Sequence, residues 1–177
     1  MLDRATAERH VDALVDLDAR MYAELGAAYS HIPWYGAHFV KDVPGKWALS
    51  HCALDEGRLS AFWIASTAAD LAHTHRVAVD GALRGHGVGT ALFEAVARAA
   101  RHAGCRRMTL TVNATNEAAV RFYERLGFAR LRGAALREFV AVRGRAGEAA
   151  ADVIYEDESD QRHAYVALMR SIAGPGT

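Results

Sequence analysis

Apolar residues recur at helical spacing in three stretches of this chain. The helices that they predict are Ala7–Leu25, Thr90–Ala103 and Glu117–Leu126. Gly104 and Gly127 follow the second and third stretches, and glycine commonly ends a helix in a left-handed conformation. The aromatic segment after the first helix is broken by Pro33 and Pro44, which predicts a short helix between loops.

Segments with alternating or β-branched residues predict the strands of a sheet. KWALSHCAL and LSAFWIAST form a predicted hairpin around a turn at Asp55–Gly57, and RRMTLTVNA, LREFVAV and HAYVALMRSI are further strands. LAHTHRVAVD is a strand with five side chains on one predicted face: Leu71, His73, His75, Val77 and Val79. RGRAGEAAADVIYEDESDQR has little periodicity and is predicted as a long acidic connection. This order of elements predicts a mixed α/β sheet in one domain, residues 1–177.

Composition narrows the classes of function that fit the chain. Of its 177 residues, 51% are hydrophobic and 24% are charged, which is typical of a globular protein. The 21 basic and 21 acidic residues cancel, so no overall charge favours nucleic acid or an anionic membrane. The sequence shows no apolar run of membrane-spanning length and no signal peptide, so we expect a cytoplasmic protein. Its histidines and cysteines lack the spacing of a metal site.

A glycine-rich loop joins the strand ending at Val79 to the second predicted helix. Gly85, Gly87 and Gly89 lie within five residues, directly before Thr90. Glycines let backbone amides approach an anion, and the first turn of a helix carries unpaired N–H groups, so the loop suits a pyrophosphate. The even spacing differs from the GxGxxG pattern of dinucleotide sites, and a P-loop would need a lysine that is missing here. The structural alternative is a tight turn that only caps the helix.

Two motifs in this region closely resemble those of the GNAT superfamily of acetyl-CoA-dependent N-acetyltransferases. VAVDGALRGHGVGTALFEAV matches the family's [RQ]xxGx[GA] loop at Arg84, Gly87 and Gly89. LTVNATNEAAVRFYERLGF matches a second family segment at Asn116, Ala119, Tyr123, Gly127 and Phe128. The resemblance spans about residues 71–128. It implies a GNAT-like fold, with a central, mostly antiparallel, twisted sheet of six to seven strands flanked by about four helices.

The same resemblance implies that acetyl-CoA is the acyl donor, without a metal. The implied cofactor-binding residues are Val77, Ala78, Val79, Arg84, Gly85, His86, Gly87, Val88, Gly89, Thr90, Asn116, Ala119, Phe122 and Tyr123. The backbone of the strand ending at Val79 would pair with the pantetheine arm, and the amides from Arg84 onward would hold the pyrophosphate. Structural roles without cofactor binding or catalysis stay open as alternatives at three positions: a surface charge at Arg84, a helix cap at Asn116 and a packed aromatic ring at Tyr123.

Direct transfer of an acetyl group to an amine needs a hydrogen-bond donor for the oxyanion, a general acid and a general base. We expect the Val79 N–H, where two strands splay, to stabilise the oxyanion, and Tyr123 to protonate the leaving sulfur. Family members often use a glutamate on the preceding strand as base, and this strand has none. His73 and His75, on the face predicted to be shared with Val77, are therefore the candidate bases through a water relay. A surface or structural role is the alternative for each histidine.

The acceptor site is expected in residues 7–45 and 131–172, outside both motifs. Its predicted substrate-binding residues are Tyr29, His31, Trp34 and Tyr35. Packing of these rings onto the sheet is the alternative. A small-molecule amine is the predicted acceptor, with a protein N-terminus or lysine as the alternative, and a non-catalytic acyl-CoA-binding regulatory domain is the alternative of another class. Proteins that this chain resembles often form homodimers through their C-terminal strands, so a homodimer stays open.

Overall fold

A central β-sheet with helices on both faces organises the chain. The computed structural model describes residues 1–30, 32–143, 148–150, 153–158 and 161–173. Its helices are α1 Arg4–Arg9, α2 Val11–Leu25, α3 Gly36–Val40, α4 Lys46–Leu49, α5 Val88–His102, α6 Glu117–Arg125 and α7 Gly133–Arg143. Its strands are β1 His51–Asp55, β2 Arg58–Ala68, β3 Leu71–Val79, β4 Arg107–Asn113, β5 Ala129–Arg130, β6 Glu148–Ala150, β7 Val153–Glu158 and β8 Gln161–Ser171.

The sheet is mostly antiparallel, as predicted. Its strands follow the order β1-β2-β3-β4-β8-β7-β6, and the two-residue β5 pairs with β8 beside this path. Only β3 and β4 run parallel among the strand pairs that the structure describes. The mixed α/β fold class is therefore confirmed. The described part of the chain has more helices than the four that were expected, because it forms several short ones.

The single parallel pairing in the described sheet is short, and this creates a gap. β3 and β4 are paired over three residues only, from Leu71 opposite Arg107 to His73 opposite Thr109. Beyond that point β3 continues to Val79 beside β2, while β4 continues beside β8. The two strands therefore splay apart towards their carboxyl ends, as the sequence predicted.

Two apolar layers cover the two faces of the sheet. Phe62 and Trp63 are adjacent on β2 and point to opposite faces, as neighbours on a strand do. Trp63 packs on Phe93 of α5, with ring centres 5.8 Å apart, and Phe62 packs on Phe39 of α3, with ring centres 5.4 Å apart. Burying one such side chain stabilises the fold by about 1.5–3 kcal/mol, so these layers hold the helices on the sheet.

Four predicted elements differ from the structure, and the last of them, LREFVAV, is described separately below. The first predicted helix is broken at His10, where the backbone leaves helical geometry, and Asp3 caps the new α1 by accepting a hydrogen bond from the Thr6 N–H at 2.7 Å. KWALSHCAL begins as the helical turn α4, because Gly45 adopts a left-handed conformation (φ +70°) directly before it. In RGRAGEAAADVIYEDESDQR, the described residues include β6 and β7 instead of an unpaired connection, because β7 pairs with β8.

LREFVAV was predicted as a strand and is part of helix α7. Leu136 and Phe139 are three residues apart, which places them on one face of a helix. Both are buried, and they share an apolar cluster with Tyr165 of β8. The short apolar run fits the spacing of a strand as well as that of a helix, and packing against β8 stabilises the helix.

No helix in the described ranges combines the length and the apolar character needed to cross a bilayer.

A buried lysine joins the end of α3 to the start of α4. Lys46 is 1% exposed, and its Nζ donates hydrogen bonds to the carbonyls of Phe39 and Lys41 at 2.7 Å and of His38 at 3.3 Å. Burial lowers the pKa of Lys46 to about 8, so the side chain is still mainly charged at neutral pH. The positive charge satisfies carbonyls at a helix C-terminus, where the backbone carries partial negative charge.

We predict that Lys46→Met lowers the free energy of unfolding by about 2–3 kcal/mol, because it leaves buried carbonyls without donors. Urea denaturation of both proteins measures the difference. Lys41→Met is the matched control, since the Lys41 side chain is exposed and should change stability little. Equal stability of the two variants would contradict the role assigned to Lys46.

Candidate active site

A cavity of about 760 Å³ opens where β3 and β4 separate. The loop after β3, the first turn of α5, and α6 with its N-cap contribute Arg84, Gly85, Gly89, Asn116, Ala119, Phe122 and Tyr123 to its lining. The segment after α2, strand β3, helix α7 and strand β8 contribute Tyr29, Ile32, Trp34, His73, His75, Arg76, Phe139 and Tyr165. The cavity therefore brings together most residues that the sequence assigned to cofactor and to acceptor.

The backbone of β3 presents unused pairing groups to this cavity. The Asp80 N–H donates to the Ser60 carbonyl of β2 at 2.9 Å. Alternate residues of an antiparallel strand pair with the same neighbour, so Ala78 also faces β2, whereas Val77 and Val79 face the gap. Both valines line the cavity, so an extended ligand could pair with them as a further strand would. The side chain of Ala78, predicted as a cofactor contact, is buried on the face of the sheet that α2 and α3 cover.

The glycine loop needs its glycines for two different physical reasons. Gly85 and Gly87 have φ values of +81° and +82°, a left-handed conformation that strains other residues. Gly89 has an ordinary φ, but a Cβ there would lie 3.1 Å from Phe122 Cζ, so its glycine allows α5 and α6 to approach closely. The first backbone hydrogen bond of α5 runs from the Ala91 N–H to the Gly87 carbonyl, at 2.9 Å.

The N–H groups of Val88, Gly89 and Thr90 lie in the first turn of α5, ahead of that bond. No carbonyl lies four residues earlier within the helix to accept from them, and they carry the positive end of the helix dipole. The loop geometry thus fits a pyrophosphate. His86 of this loop is exposed and approaches the Arg84 carbonyl through Nδ1 at 3.0 Å.

The side chain of Arg84 turns from the loop towards helix α2. It forms two contacts with Glu24, at 2.5 and 2.7 Å, and its Nε donates to the Val79 carbonyl at 3.1 Å. The hydrogen bond from Arg84 lowers the pKa of Glu24. Arg84 therefore ties the end of β3 to α2, a contact that its motif did not predict.

Two asparagines fix the start of α6 against the turn that follows α2. Asn116 accepts from the Ala119 N–H at 3.1 Å, which caps α6, and donates through Nδ2 to the Ala28 carbonyl at 3.1 Å. Asn113 donates in the same way to the Ala27 carbonyl at 2.9 Å. The capping role considered for Asn116 is thus present. Asn113 was missed because it is not one of the matched positions of the second motif, although it lies within that segment.

The Tyr123 hydroxyl opens into the cavity. The ring is buried against Trp63 and Phe128, with ring centres 6.0 and 5.8 Å away. The described residues form no hydrogen bond with the Tyr123 Oη, yet none of their buried polar side-chain atoms lacks a partner, so this oxygen is in contact with the cavity. Burial raises the pKa of Tyr123, which keeps the phenol protonated.

A buried ion pair that the sequence analysis missed organises the aromatic segment after α2. Asp18 of α2 and Arg76 of β3 form a double contact, with Nε–Oδ1 and Nη2–Oδ2 distances of 2.7 and 2.8 Å. The Tyr29 hydroxyl donates to Asp18 at 2.6 Å and the Trp34 N–H at 2.8 Å. Tyr29 and Trp34, two of the predicted substrate-binding residues, are therefore both hydrogen-bonded to the Asp18 carboxylate. A charged residue on the apolar face of α2, between Leu17 and Met21, is the signal that could have revealed it.

A β-bulge overturns the predicted common face of β3. Ile64 pairs with Arg76 and the next residue of β2 pairs with Thr74, so His75 is the extra residue. Before the bulge Ala72 faces the apolar layer under α5, and after it Val77 faces the same layer. His73, the neighbour of Ala72, therefore points to the face opposite Val77.

Both histidines nevertheless line the cavity and have hydroxyl partners. His73 Nδ1 lies 3.0 Å from Thr109 Oγ1, and His75 Nε2 lies 2.7 Å from Ser66 Oγ. Their rings are 5.0 Å apart. The placement of both rings at the cavity is compatible with proton transfer from an acceptor there.

One predicted substrate residue, Tyr35, is not brought to the cavity lining that the structure describes. Tyr35 is 63% exposed and its ring contacts His38, with ring centres 4.0 Å apart. His31 lies outside the described residues. Within the described ranges, no group of three or more His, Cys, Asp or Glu side chains is arranged to hold a metal ion.

Comparison with known proteins identifies the family. The sequence profile of the acetyltransferase (GNAT) family matches residues 11–128, so the chain belongs to this family, as its two motifs predicted. It is an acetyl-CoA-dependent N-acetyltransferase.

The [ribosomal protein bS18]-alanine N-acetyltransferase of Escherichia coli strain K12 is 33% identical over 112 residues, which cover 59% of this chain and 74% of that relative. An uncharacterized N-acetyltransferase of Methanocaldococcus jannaschii is 41% identical over 59 residues, 33% of this chain. The match spans only 26% of that second relative. The crystal structure of the ribosomal-protein-S18-alanine N-acetyltransferase from Escherichia coli has the same fold, with a TM-score of 0.64, 22% identity and coverage of 94% of this chain and 90% of that chain.

We predict that Glu24→Gln raises the KM for acetyl-CoA about two- to fivefold, as expected for the loss of one partly exposed ion pair. The Arg84 side chain would lose its anchor on α2, and the loop that follows it would become less ordered. Steady-state kinetics with varied acetyl-CoA measures the change. Glu124→Gln, which breaks the exposed pair with Arg130, is the control, and an equal KM in both variants would contradict the prediction.

Proposed function

We propose that the chain transfers an acetyl group directly from acetyl-CoA to the primary amine of a small molecule. The observation that carries this proposal is the Tyr123 hydroxyl, which faces the same cavity as the backbone of Val77 and the N–H of Val79. A general acid and backbone N–H donors therefore line one cavity. Direct transfer requires both substrates to be bound together, and holding them in line supplies much of the rate.

The donor's binding path follows the glycine loop and the open side of β3. The pyrophosphate would bind the first-turn amides of α5, from Val88 to Thr90, and the pantetheine arm would pair with the backbone of Val77 and Val79. Phe122 and Ala119 of α6 would contact the arm, since both line the cavity. Asn116 caps α6 with its oxygen, so its contact with the donor would come from the remaining hydrogen-bonding capacity of its amide.

The chain's own residues would divide the chemistry of transfer as follows. A new bond forms between the amine nitrogen and the carbonyl carbon, and the bond from that carbon to sulfur breaks. The Val79 N–H, or that of Val77 on the same side of β3, would stabilise negative charge on the carbonyl oxygen. Tyr123 would give its proton to the departing sulfur.

His73 or His75 would take the proton that the amine loses, through a water molecule. Imidazole is suited to this task because its ordinary pKa is about 6.5. Thr109 and Ser66, the hydroxyl partners of these rings, would orient them.

The acceptor would lie between residues 29–34, the start of β3 and the α7–β8 region. Tyr29 and Trp34 provide aromatic surface there, and a cavity of about 760 Å³ suits a small molecule beside the donor's arm. A protein N-terminus is the second candidate acceptor, because the relative from Escherichia coli is named as the N-acetyltransferase of an alanine of ribosomal protein bS18. Thiol release measured with a panel of small amines and with an alanine-terminated peptide separates these two acceptors.

We predict that Tyr123→Phe lowers kcat about a hundredfold, the usual order for loss of a general acid, and leaves the KM for acetyl-CoA nearly unchanged. Release of free thiol from acetyl-CoA measures both constants. Tyr22→Phe, a tyrosine on α2 that does not line the described cavity, is the control. A kcat equal to that of the control would remove Tyr123 from the chemistry.

We predict that His73→Ala or His75→Ala slows the reaction most at acid pH. With imidazole as base, activity falls only below the pKa of the imidazole, whereas without it activity falls below the higher pKa of the amine itself. The ratio of unmodified to variant kcat should therefore grow as pH decreases and level off below the pKa of the imidazole. A pH–rate profile tests this, with His102→Ala on the exposed end of α5 as the control. Unchanged profiles for both histidine variants would exclude them as the base.

A further inference from the structure

Arg76 keeps part of its hydrogen-bonding capacity for a ligand. A guanidinium has five N–H donors. Nε donates to Asp18 at 2.7 Å, and Nη2 donates to Asp18 at 2.8 Å and to the Ile32 carbonyl at 3.0 Å. These bonds use three donors and leave the two on Nη1.

The Nη1 atom of Arg76 is in contact with the cavity. It takes part in no hydrogen bond of the described residues, yet no buried polar side-chain atom among them lacks a partner. Arg76 is 8% exposed and lines the cavity, so its small exposed surface includes Nη1. Nη1 is thus a hydrogen-bond donor available to a ligand that binds in the cavity.

The guanidinium cannot turn away from the cavity without losing its supports. Its Cζ lies 4.5 Å from the ring centre of Tyr29 and 5.1 Å from that of Trp34. The double contact with Asp18, which is fully buried, fixes the plane of the group. A fixed guanidinium loses little conformational entropy when it binds a ligand, which favours tight and directional binding.

The charge of the cavity favours an anionic group over a polycation. The charged residues among its described lining are Arg76, Arg84 and Arg125, and this lining includes no carboxylate. The first two of these arginines are paired with Asp18 and Glu24, which lie outside the lining. A polyamine would find no acidic partner among these residues. A carboxylate would find two N–H donors of a charged guanidinium, a strong kind of hydrogen bond.

We propose that Arg76 binds the carboxylate of an amino-acid acceptor, so that the acetylated amine is the α-amine of a free amino acid. Arg76 directly precedes Val77, whose backbone faces the proposed path of the donor's arm. The carboxylate and the amine of an α-amino acid are bonded to the same carbon, so binding one at Arg76 holds the other near the site of transfer. This inference rests on the proposed function and specifies its acceptor.

The first test uses the unmodified protein with three related amines. Thiol release is measured with L-phenylalanine, with phenethylamine, which lacks the carboxylate, and with L-phenylalaninamide, which mimics a peptide N-terminus. Values of kcat/KM are compared per unprotonated amine. We expect L-phenylalanine to be preferred about ten- to hundredfold over phenethylamine, as for one charge-assisted hydrogen-bonded pair. Equal or faster reaction of phenethylamine would overturn the proposal, and so would preference for the amide, which would favour a peptide acceptor.

The second test uses Arg76→Lys, which keeps a positive partner for Asp18 but removes Nη1. We expect kcat/KM for L-phenylalanine to fall about tenfold or more, with that for phenethylamine and the KM for acetyl-CoA nearly unchanged. Arg125→Lys, at a cavity arginine that forms no ion pair within the described residues, should leave the ratio of the two amines as it is. An equal loss with both amines in Arg76→Lys would show a structural role only and overturn the proposal.

Binding distinguishes failure of this inference from failure of the proposed function. Absence of thiol release with every small amine would contradict the proposed function. Isothermal titration of the CoA-bound protein with L-phenylalanine and with phenethylamine still decides the role of Arg76. Binding of the amino acid alone, lost in Arg76→Lys, supports that role, and equal or absent binding of the two overturns it.

Discussion

β3 is paired with β4 over only three residues, and the rest of the site depends on this short pairing. Full pairing would close the sheet and use the backbone groups of Val77 and Val79. Because the strands separate, these groups face a cavity that has the glycine loop at one end and aromatic side chains at the other. The bulge at His75 lies close to where the separation begins and reverses the faces of the strand.

Helix α2 positions both ends of the cavity through two arginines. Asp18 holds Arg76 and the aromatic segment, and Glu24, further along the same helix, holds Arg84 at the start of the glycine loop. The first pair is buried and the second is partly exposed, so the first contributes more to the rigidity of the site. Since one rigid helix carries both carboxylates, the distance between the acceptor end and the donor end is set by a regular element.

The sequence predicted the parts of the site that depend on local geometry. The turn at the loop glycines follows from short spacings on one loop. The cap at Asn116 and the packed ring of Tyr123 were the structural alternatives that the same local patterns left open. The sequence did not predict features that depend on contacts between distant segments. The ion pair of Asp18 and Arg76 joins residues 58 positions apart, and the bulge at His75 reflects the pairing of β3 with β2. The run around Leu136 and Phe139 was assigned to the wrong element because packing on β8, not local periodicity, decides its structure.

The asparagine contacts with the turn after α2 have a consequence for how the acceptor site can diversify. Asn113 and Asn116 bind the main-chain carbonyls of Ala27 and Ala28, not their side chains. Substitutions at these two alanines would therefore preserve the attachment while changing the surface beside the pocket. A scaffold fastened through its main chain can accumulate such changes without losing its catalytic geometry, which gives selection a route to new acceptors.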